Sequence, residues 1–229
     1  MHRRTLLKTS AGLAITALVG GQPAAASPKG SCQPRDPLRH LMAGNHRFAN
    51  AWQEAARNAS TNLGDELHNN RCFNPPQTLI EEQHPWATVL TCADSRVSPS
   101  WIFDTTPGEL FVIRSAGNTA FDEAIASIEY SISILQTPLV MVMGHSGCGA
   151  VSTAMGDGVL SPSLERLITP IRSQIADSTD LAEAVRSNAQ GTAATLRSNS
   201  TLLREAEANG AMSLVVSYFN LQTGAVTLI

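Results

Sequence analysis

A chain of 229 residues with 43% hydrophobic side chains is long enough to bury one substantial core, and it carries no low-complexity tract and no internal repeat. Its formal charge is −3, with no long block of like charges. That excludes the electrostatic footprint of a nucleic-acid binder and favours small-molecule chemistry.

The chain opens with His2-Arg3-Arg4-Thr5-Leu6-Leu7-Lys8, runs through an apolar stretch from Ala11 to Val19, and reaches Pro23-Ala24-Ala25-Ala26-Ser27. A charged head, a short apolar run and small residues are the layout of an export signal, so residues 1–26 are expected to be removed near Ala26. The run is too short to span a bilayer, which argues against a stable membrane anchor. The paired arginines followed by Leu6, Leu7 and Lys8 resemble a twin-arginine signal, read by machinery that exports folded proteins. The expected location is therefore the periplasm or another exported compartment. Losing Arg3, Arg4 and Lys8 leaves 13 bases against 19 acids, a more acidic mature chain.

Residues 27–35 read as a flexible leader, and residues 36–229 as one domain. Asp36-Pro37 supplies an N-cap and a proline at the first helical position, and Leu38, Leu41, Met42, Phe48, Ala49, Trp52, Ala55 and Ala56 follow helical spacing. Asn58 to Pro76 is polar and asparagine-rich, the composition of a loop. Ala87 to Thr91 then reads as a short buried strand ending at Cys92, and Glu109 to Ile113 as a second, with a short helix opening at Ser98-Pro99 between them. Phe121, Ile125, Ile128, Ile132 and Leu135 mark a helix, and Leu139 to Met143 a third buried strand, broken by Gly144. Pro162 to Asn209 is helical in composition, and Leu214 to Tyr218 with Ala225 to Ile229 forms a closing hairpin around Gln222-Thr223-Gly224. Strands alternating with helices predict an α/β fold: a single domain with a central, mainly parallel sheet flanked by helices.

Two segments carry chemistry: Cys92-Ala93-Asp94-Ser95-Arg96 and His145-Ser146-Gly147-Cys148-Gly149. Each lies just past the carboxyl end of a predicted strand, where open α/β sheets bind ligands. Two thiolates, an imidazole and a carboxylate can assemble a tetrahedral zinc site, and thiolate softness favours zinc over magnesium or manganese. Taken singly, Cys92 and Cys148 also suit small buried positions and His145 a loop. A structural zinc with Cys32 or Cys72 as fourth ligand is a further alternative, although neither segment has the paired C-x₂-C knuckle of such sites. An arginine fork at Arg96 can hold the Asp94 carboxylate ionised. Asp94 then either takes a fourth zinc position or orients a water, unless the pair only stabilises its loop. Cys32 and Cys72 lie outside both segments, and the sequence leaves open whether they pair or stay free.

Cys92-x-Asp94-x-Arg96 followed by His145-x-x-Cys148 resembles the β-class carbonic anhydrases. Leu41-Met-Ala-Gly-Asn-His-Arg-Phe48, Pro107 to Val112, Arg114-Ser-Ala-Gly-Asn118 and Ser127-Ile-Glu-Tyr130 resemble further segments of that family, so the likeness covers most of residues 37–229. Ser115-Ala-Gly-Asn118 departs from the family's commoner Asn-Val-Ala-Asn. The resemblance implies a β-carbonic-anhydrase-like fold and reversible hydration of carbon dioxide to bicarbonate and a proton. It implies one zinc per chain on Cys92, His145 and Cys148, with Asp94 and Arg96 as the catalytic dyad and Asp94 as an optional fourth ligand. Gln83, Phe111, Tyr130 and the Gly149 amide match its substrate-contacting positions, which come from two subunits, so a homodimer or higher homo-oligomer is implied. Read without the family, Phe111 and Tyr130 are ordinary core residues. The family's self-closing subgroup carries Trp and Gly where this chain has Val89 and Thr91, although Val97 matches its third feature, so the resemblance implies Asp94 held by Arg96 in the resting state. His84 is one candidate for relaying the proton. A carbonyl sulfide or carbon disulfide hydrolase on the same zinc, or a non-catalytic zinc- or bicarbonate-binding protein, are the alternatives.

Overall fold

The computed structural model describes residues 32–67, 72–176 and 178–229. The export signal expected over residues 1–26 and the start of the leader lie outside the described residues.

Helix α1 spans Pro37–Arg57; the Asp36 carboxylate accepts from the Arg39 N–H at 3.0 Å and so satisfies one of the donors left free at the helix start. Its inner face buries Leu41, Phe48 and Ala51. The Asn58–Pro76 stretch is less irregular than its composition suggests. It contains α2, Leu63–Glu66, because the Asn62 side chain caps the Gly64 N–H, and it ends where α3, Pro76–Glu81, begins on a proline.

Five strands follow: β1 Ala87–Cys92, β2 Leu110–Ser115, β3 Leu139–His145, β4 Ser213–Phe219 and β5 Val226–Leu228. Their order is β2-β1-β3-β4-β5, and every pairing is parallel except the antiparallel pairing of β4 with β5. The crossovers are α4 Pro99–Ile102 and α5 Asp122–Ser133, then α6 Gly149–Ala154, α7 Pro162–Gln174, α8 Leu181–Asn199 and α9 Thr201–Ala208 between β3 and β4. The strand expected to break at Gly144 instead continues to His145. Gly144 lies opposite Tyr218 in register, and a methyl there would meet Val185 Cγ1 of α8 at 2.9 Å, so glycine serves close helix-on-sheet packing.

The pleat sorts the core into two layers. Ala87, Val89, Met141 and Met143 pack with Leu41, Phe48 and Phe103 on the α1 side; Leu90, Val140 and Val142 pack with α5, α8 and α9 on the other. Buried Asn45 joins α1 to the closing hairpin: its Nδ2 donates to Ile102 O and Gly224 O at 3.2 and 2.9 Å, and its Oδ1 accepts from Val226 N at 2.7 Å.

Residues 32–35, expected as the end of a flexible leader, are tied to the body. Cys32 and Cys72 form a disulfide, the Cys32 N–H donates to Asn74 Oδ1 at 3.3 Å, and Gln33 Nε2 donates to His84 O at 2.6 Å. Among the described residues no helix is long and apolar enough to cross a membrane.

Candidate active site

Cys92 is the last residue of β1 and His145 the last of β3, neighbouring parallel strands, so the sheet brings both to one carboxyl edge. Cys148 is the N-cap of α6, three residues beyond His145. The turn between them passes through Gly147 and is anchored to the end of β4: Ser146 N donates to Phe219 O at 2.9 Å, and Leu221 N donates to Ser146 Oγ at 2.9 Å. Cys92 Sγ, a His145 ring nitrogen and Cys148 Sγ all lie within 4.8 Å of one another, and all three residues are buried.

This cluster fits a zinc ion on three counts. The sulfurs are 3.9 Å apart, where two Zn–S bonds of about 2.3 Å at a tetrahedral angle span about 3.8 Å. His145 Nδ1 is 3.0 Å from Ser146 O, the tautomer-fixing bond of a metal-bound imidazole, while buried Nε2 has no hydrogen-bond partner. Without a cation, finally, the two thiols compete for one charge. The hydrogen bond from Cys148 lowers the Cys92 thiol against the opposing effect of burial, while that same bond and burial push Cys148 up. Two thiolates at this separation call for a positive ion between them.

Asp94 stands beside the cluster. Arg96 grips it through Nε to Oδ1 at 3.0 Å and Nη2 to Oδ2 at 2.7 Å, and the Arg96 N–H adds a bond to Oδ1 at 2.9 Å. These bonds hold the carboxyl down at about 2, so it is ionised throughout the neutral range. Asp94 Oδ2 comes within 3.9 Å of His145 Nε2, and Arg96 Nη2 reaches Gly147 O at 3.3 Å, which ties the two loops together. Gly149 opens α6 directly after Cys148, with nothing within 4 Å of a side chain built there.

The other proposed substrate contacts are not brought to this cluster within one chain. Gln83 is exposed two residues before Pro85, whose carbonyl accepts from Thr137 at the amino end of β3. Phe111 pairs with Thr88, four residues short of Cys92, and its ring meets the partly exposed Tyr130 ring at 6.2 Å. His84 contacts Glu82 at 3.0 Å at that same amino end.

Three residues that the sequence motifs gave no role shape the site, two of them within the family-like segment from Arg114 to Asn118. The Gly117 N–H donates to Cys92 Sγ at 3.3 Å; its φ is +79°, and a methyl there would come within 2.5 Å of Ile171 Cδ1, so glycine is favoured. Buried Asn188 fixes the following peptide by donating to Gly117 O at 2.8 Å. Arg114 donates from Nε to Cys92 O at 3.1 Å and from Nη2 to both Asp94 O and Val97 O at 2.7 Å. Its signal in the sequence is its place at the head of the family-like segment Arg114-Ser-Ala-Gly-Asn118, at the end of a predicted strand.

The family model described as carbonic anhydrase matches residues 87–226. Carbonic anhydrase of Mycolicibacterium smegmatis is 31% identical over 181 residues, covering 75% of this chain and 87% of the relative. Carbonic anhydrase 2 of Mycobacterium tuberculosis is 31% identical over 200 residues, covering 82% and 89%. Among solved structures, the Coccomyxa β-carbonic anhydrase in complex with acetazolamide superposes with a TM-score of 0.61 at 23% identity, covering 86% of this chain and 87% of that one. A β-carbonic anhydrase of Sordaria macrospora, described as tetrameric, gives 0.60 at 23% identity, covering 84% and 96%. The chain belongs to the carbonic anhydrase family, with the fold of its β class and a Cys92, His145 and Cys148 group able to bind the zinc on which those enzymes depend.

Proposed function

We propose that this protein catalyses the reversible hydration of carbon dioxide to bicarbonate with one zinc ion held by Cys92, His145 and Cys148. The convergence of those three buried donors beside an ionised Asp94 carries the reading. Zinc bound there supplies a Lewis acid that makes water a competent nucleophile near neutrality. The chain's own groups do the rest. Ser146 O fixes the His145 tautomer so that Nε2 keeps its lone pair, and Arg96 keeps the Asp94 carboxylate charged and aimed toward the cluster. Asp94 accepts a hydrogen bond from the attacking water and so orients its lone pair toward the carbon of the substrate.

In this reading Asp94 rests on Arg96 rather than on the metal. Gln83, Phe111 and Tyr130, which are remote from the cluster of their own chain, serve the cluster of a second copy in a homodimer or larger homo-oligomer. The protein is exported by the twin-arginine signal in residues 1–26, and the Cys32–Cys72 disulfide supports an oxidising destination.

Stopped-flow hydration of carbon dioxide by the zinc-replete protein tests the function, with Cys148→Ala as control. The variant is expected to lose its zinc, measured by elemental analysis, together with the activity. Full zinc retention in Cys148→Ala would remove Cys148 from the ligand set. Release of sulfide from carbonyl sulfide without carbon dioxide hydration would assign the cluster to a hydrolase instead.

A further inference from the structure

We propose that Gln33, strapped in place by the Cys32–Cys72 bridge, is a positioning residue for the reaction: it fixes the Gln83–His84 peptide in the pose that serves the cluster of a second copy, so that closing the bridge brings the enzyme to full activity. This rests on the carbonic anhydrase reading, in which Gln83 contacts substrate across a subunit boundary, and deepens it.

The segment between α3 and β1 is anchored at its two ends. On the helix side Glu82 N donates to Thr78 O at 3.0 Å. On the strand side Pro85 O accepts from Thr137 Oγ1 at 3.3 Å, and Trp86 N donates to Glu109 O at 3.0 Å. Between these anchors, among the described residues, the backbone of exposed Gln83 and of His84 is held by one hydrogen bond, from Gln33 Nε2 to His84 O at 2.6 Å. Gln33 lies before α1, outside any helix or strand. Its neighbour holds it: Cys32 is bonded to Cys72 and donates from its N–H to Asn74 Oδ1 at 3.3 Å, so the chain before α1 is fastened to the chain before α3. The space left between this strap, Leu79, Glu82 and Gly108 is about 20 Å³, room for about one water, so the strap lies directly on the segment. The bridge places a donor, and the donor places the peptide that carries Gln83.

Cys72 is exposed, within reach of a thiol–disulfide exchange catalyst. As the Sγ–Sγ bond forms, the two thiols give up two protons and two electrons to the catalyst's own disulfide, which leaves as a dithiol. In the reduced chain Gln33 rides on an untethered leader, and its bond to His84 must overcome the conformational entropy of that leader.

The test compares the zinc-loaded, oxidised protein with Gln33→Glu, which keeps the shape and the bridge but turns the donor into an acceptor, and with Cys32→Ser/Cys72→Ser. Zinc content, carbon dioxide hydration and amide hydrogen exchange are read on each. Both variants are expected to keep their zinc and to quicken exchange at Glu82 and Trp86 while β3 keeps its protection. Their kcat/KM should fall about 10- to 100-fold, chiefly through KM. Gln33→Lys, which restores a donor, should recover part of the loss. Gln83→Ala should show the same loss, and adding Gln33→Glu to it should cost little more, because both act through one contact. Unchanged kcat/KM in Gln33→Glu would overturn the proposal. So would a double serine variant that unfolds at lower denaturant with kcat/KM intact, or one that quickens exchange across the whole sheet, since either marks the bridge as a structural staple. Absence of hydration by the unaltered protein would sink the functional reading instead, and exchange at Glu82 and Trp86 would still decide whether Gln33 holds the segment.

Discussion

At the scale of single residues, the site is built from charge placement. Asp94 is depressed to about 2, first by its hydrogen bonds to Arg96, so the carboxylate is the form present above the ordinary carboxylate range of about 4. The stabilisation it contributes is complete above that range and is lost only as pH falls through about 2. Activity between pH 5 and 9 is therefore expected to show no titration of Asp94, and a falling acid limb in that window belongs to the water that attacks carbon dioxide. Asp94→Asn should bind zinc as the unaltered protein does and hydrate carbon dioxide at least about 10²-fold more slowly, because an amide is a poorer proton acceptor. Stopped-flow rates alongside metal analysis check both halves; a fully active Asn variant would leave Asp94 only a structural task. The spacing of Cys92, Asp94, Arg96, His145 and Cys148 made this centre legible in the sequence. Asn188 was not legible, and Arg114 only as part of a family-like segment without a role, because what they bind is backbone carbonyl, and carbonyls look alike at every position.

At the scale of elements, most of what was readable follows from local rules. The Asp36 cap with Pro37, the buried β-branched runs and the glycine-bearing hairpin turn each announce themselves within a few residues. What escaped was set by distant partners. Gly144 reads as a strand breaker until α8 is seen to lie against it, and α2 depends on one asparagine folding back on its own chain. Asn45 belongs to the same class: in the sequence it is a polar residue on an apolar helix face, and in the fold it satisfies two carbonyls and one amide from α4 and the hairpin. Truncation would strand all three groups in the core. Asn45→Ala is expected to lose about 2–4 kcal/mol of stability, read from denaturant unfolding; a loss below about 1 kcal/mol would mean that water replaces the side chain.

At the scale of the whole molecule, the disulfide closes a loop of 40 residues between Cys32, just before α1, and Cys72, just before α3. Chain-entropy reasoning gives such a closure about 3–4 kcal/mol. Arg3 and Arg4 both changed to Lys should leave the protein in the cytoplasm with Cys32 and Cys72 reduced, whereas the exported protein should show two fewer reactive thiols and unfold at higher denaturant. Cell fractionation with thiol counting checks this, and undiminished export of the Lys-Lys form would assign the signal to the general secretory route.

The two kinds of cysteine are also segregated in space. Cys32 is anchored near His84, on the amino side of the sheet, while Cys92 and Cys148 stand at its carboxyl edge. Four cysteines permit three pairings into two bridges, and the native architecture withholds every partner but one from Cys32 and Cys72. Only an unfolded chain could scramble them. A metal bound by Cys92 and Cys148 would cap the second pair of sulfurs, so that in the folded, metal-loaded protein the Cys32–Cys72 bond is the one bridge the four cysteines can form.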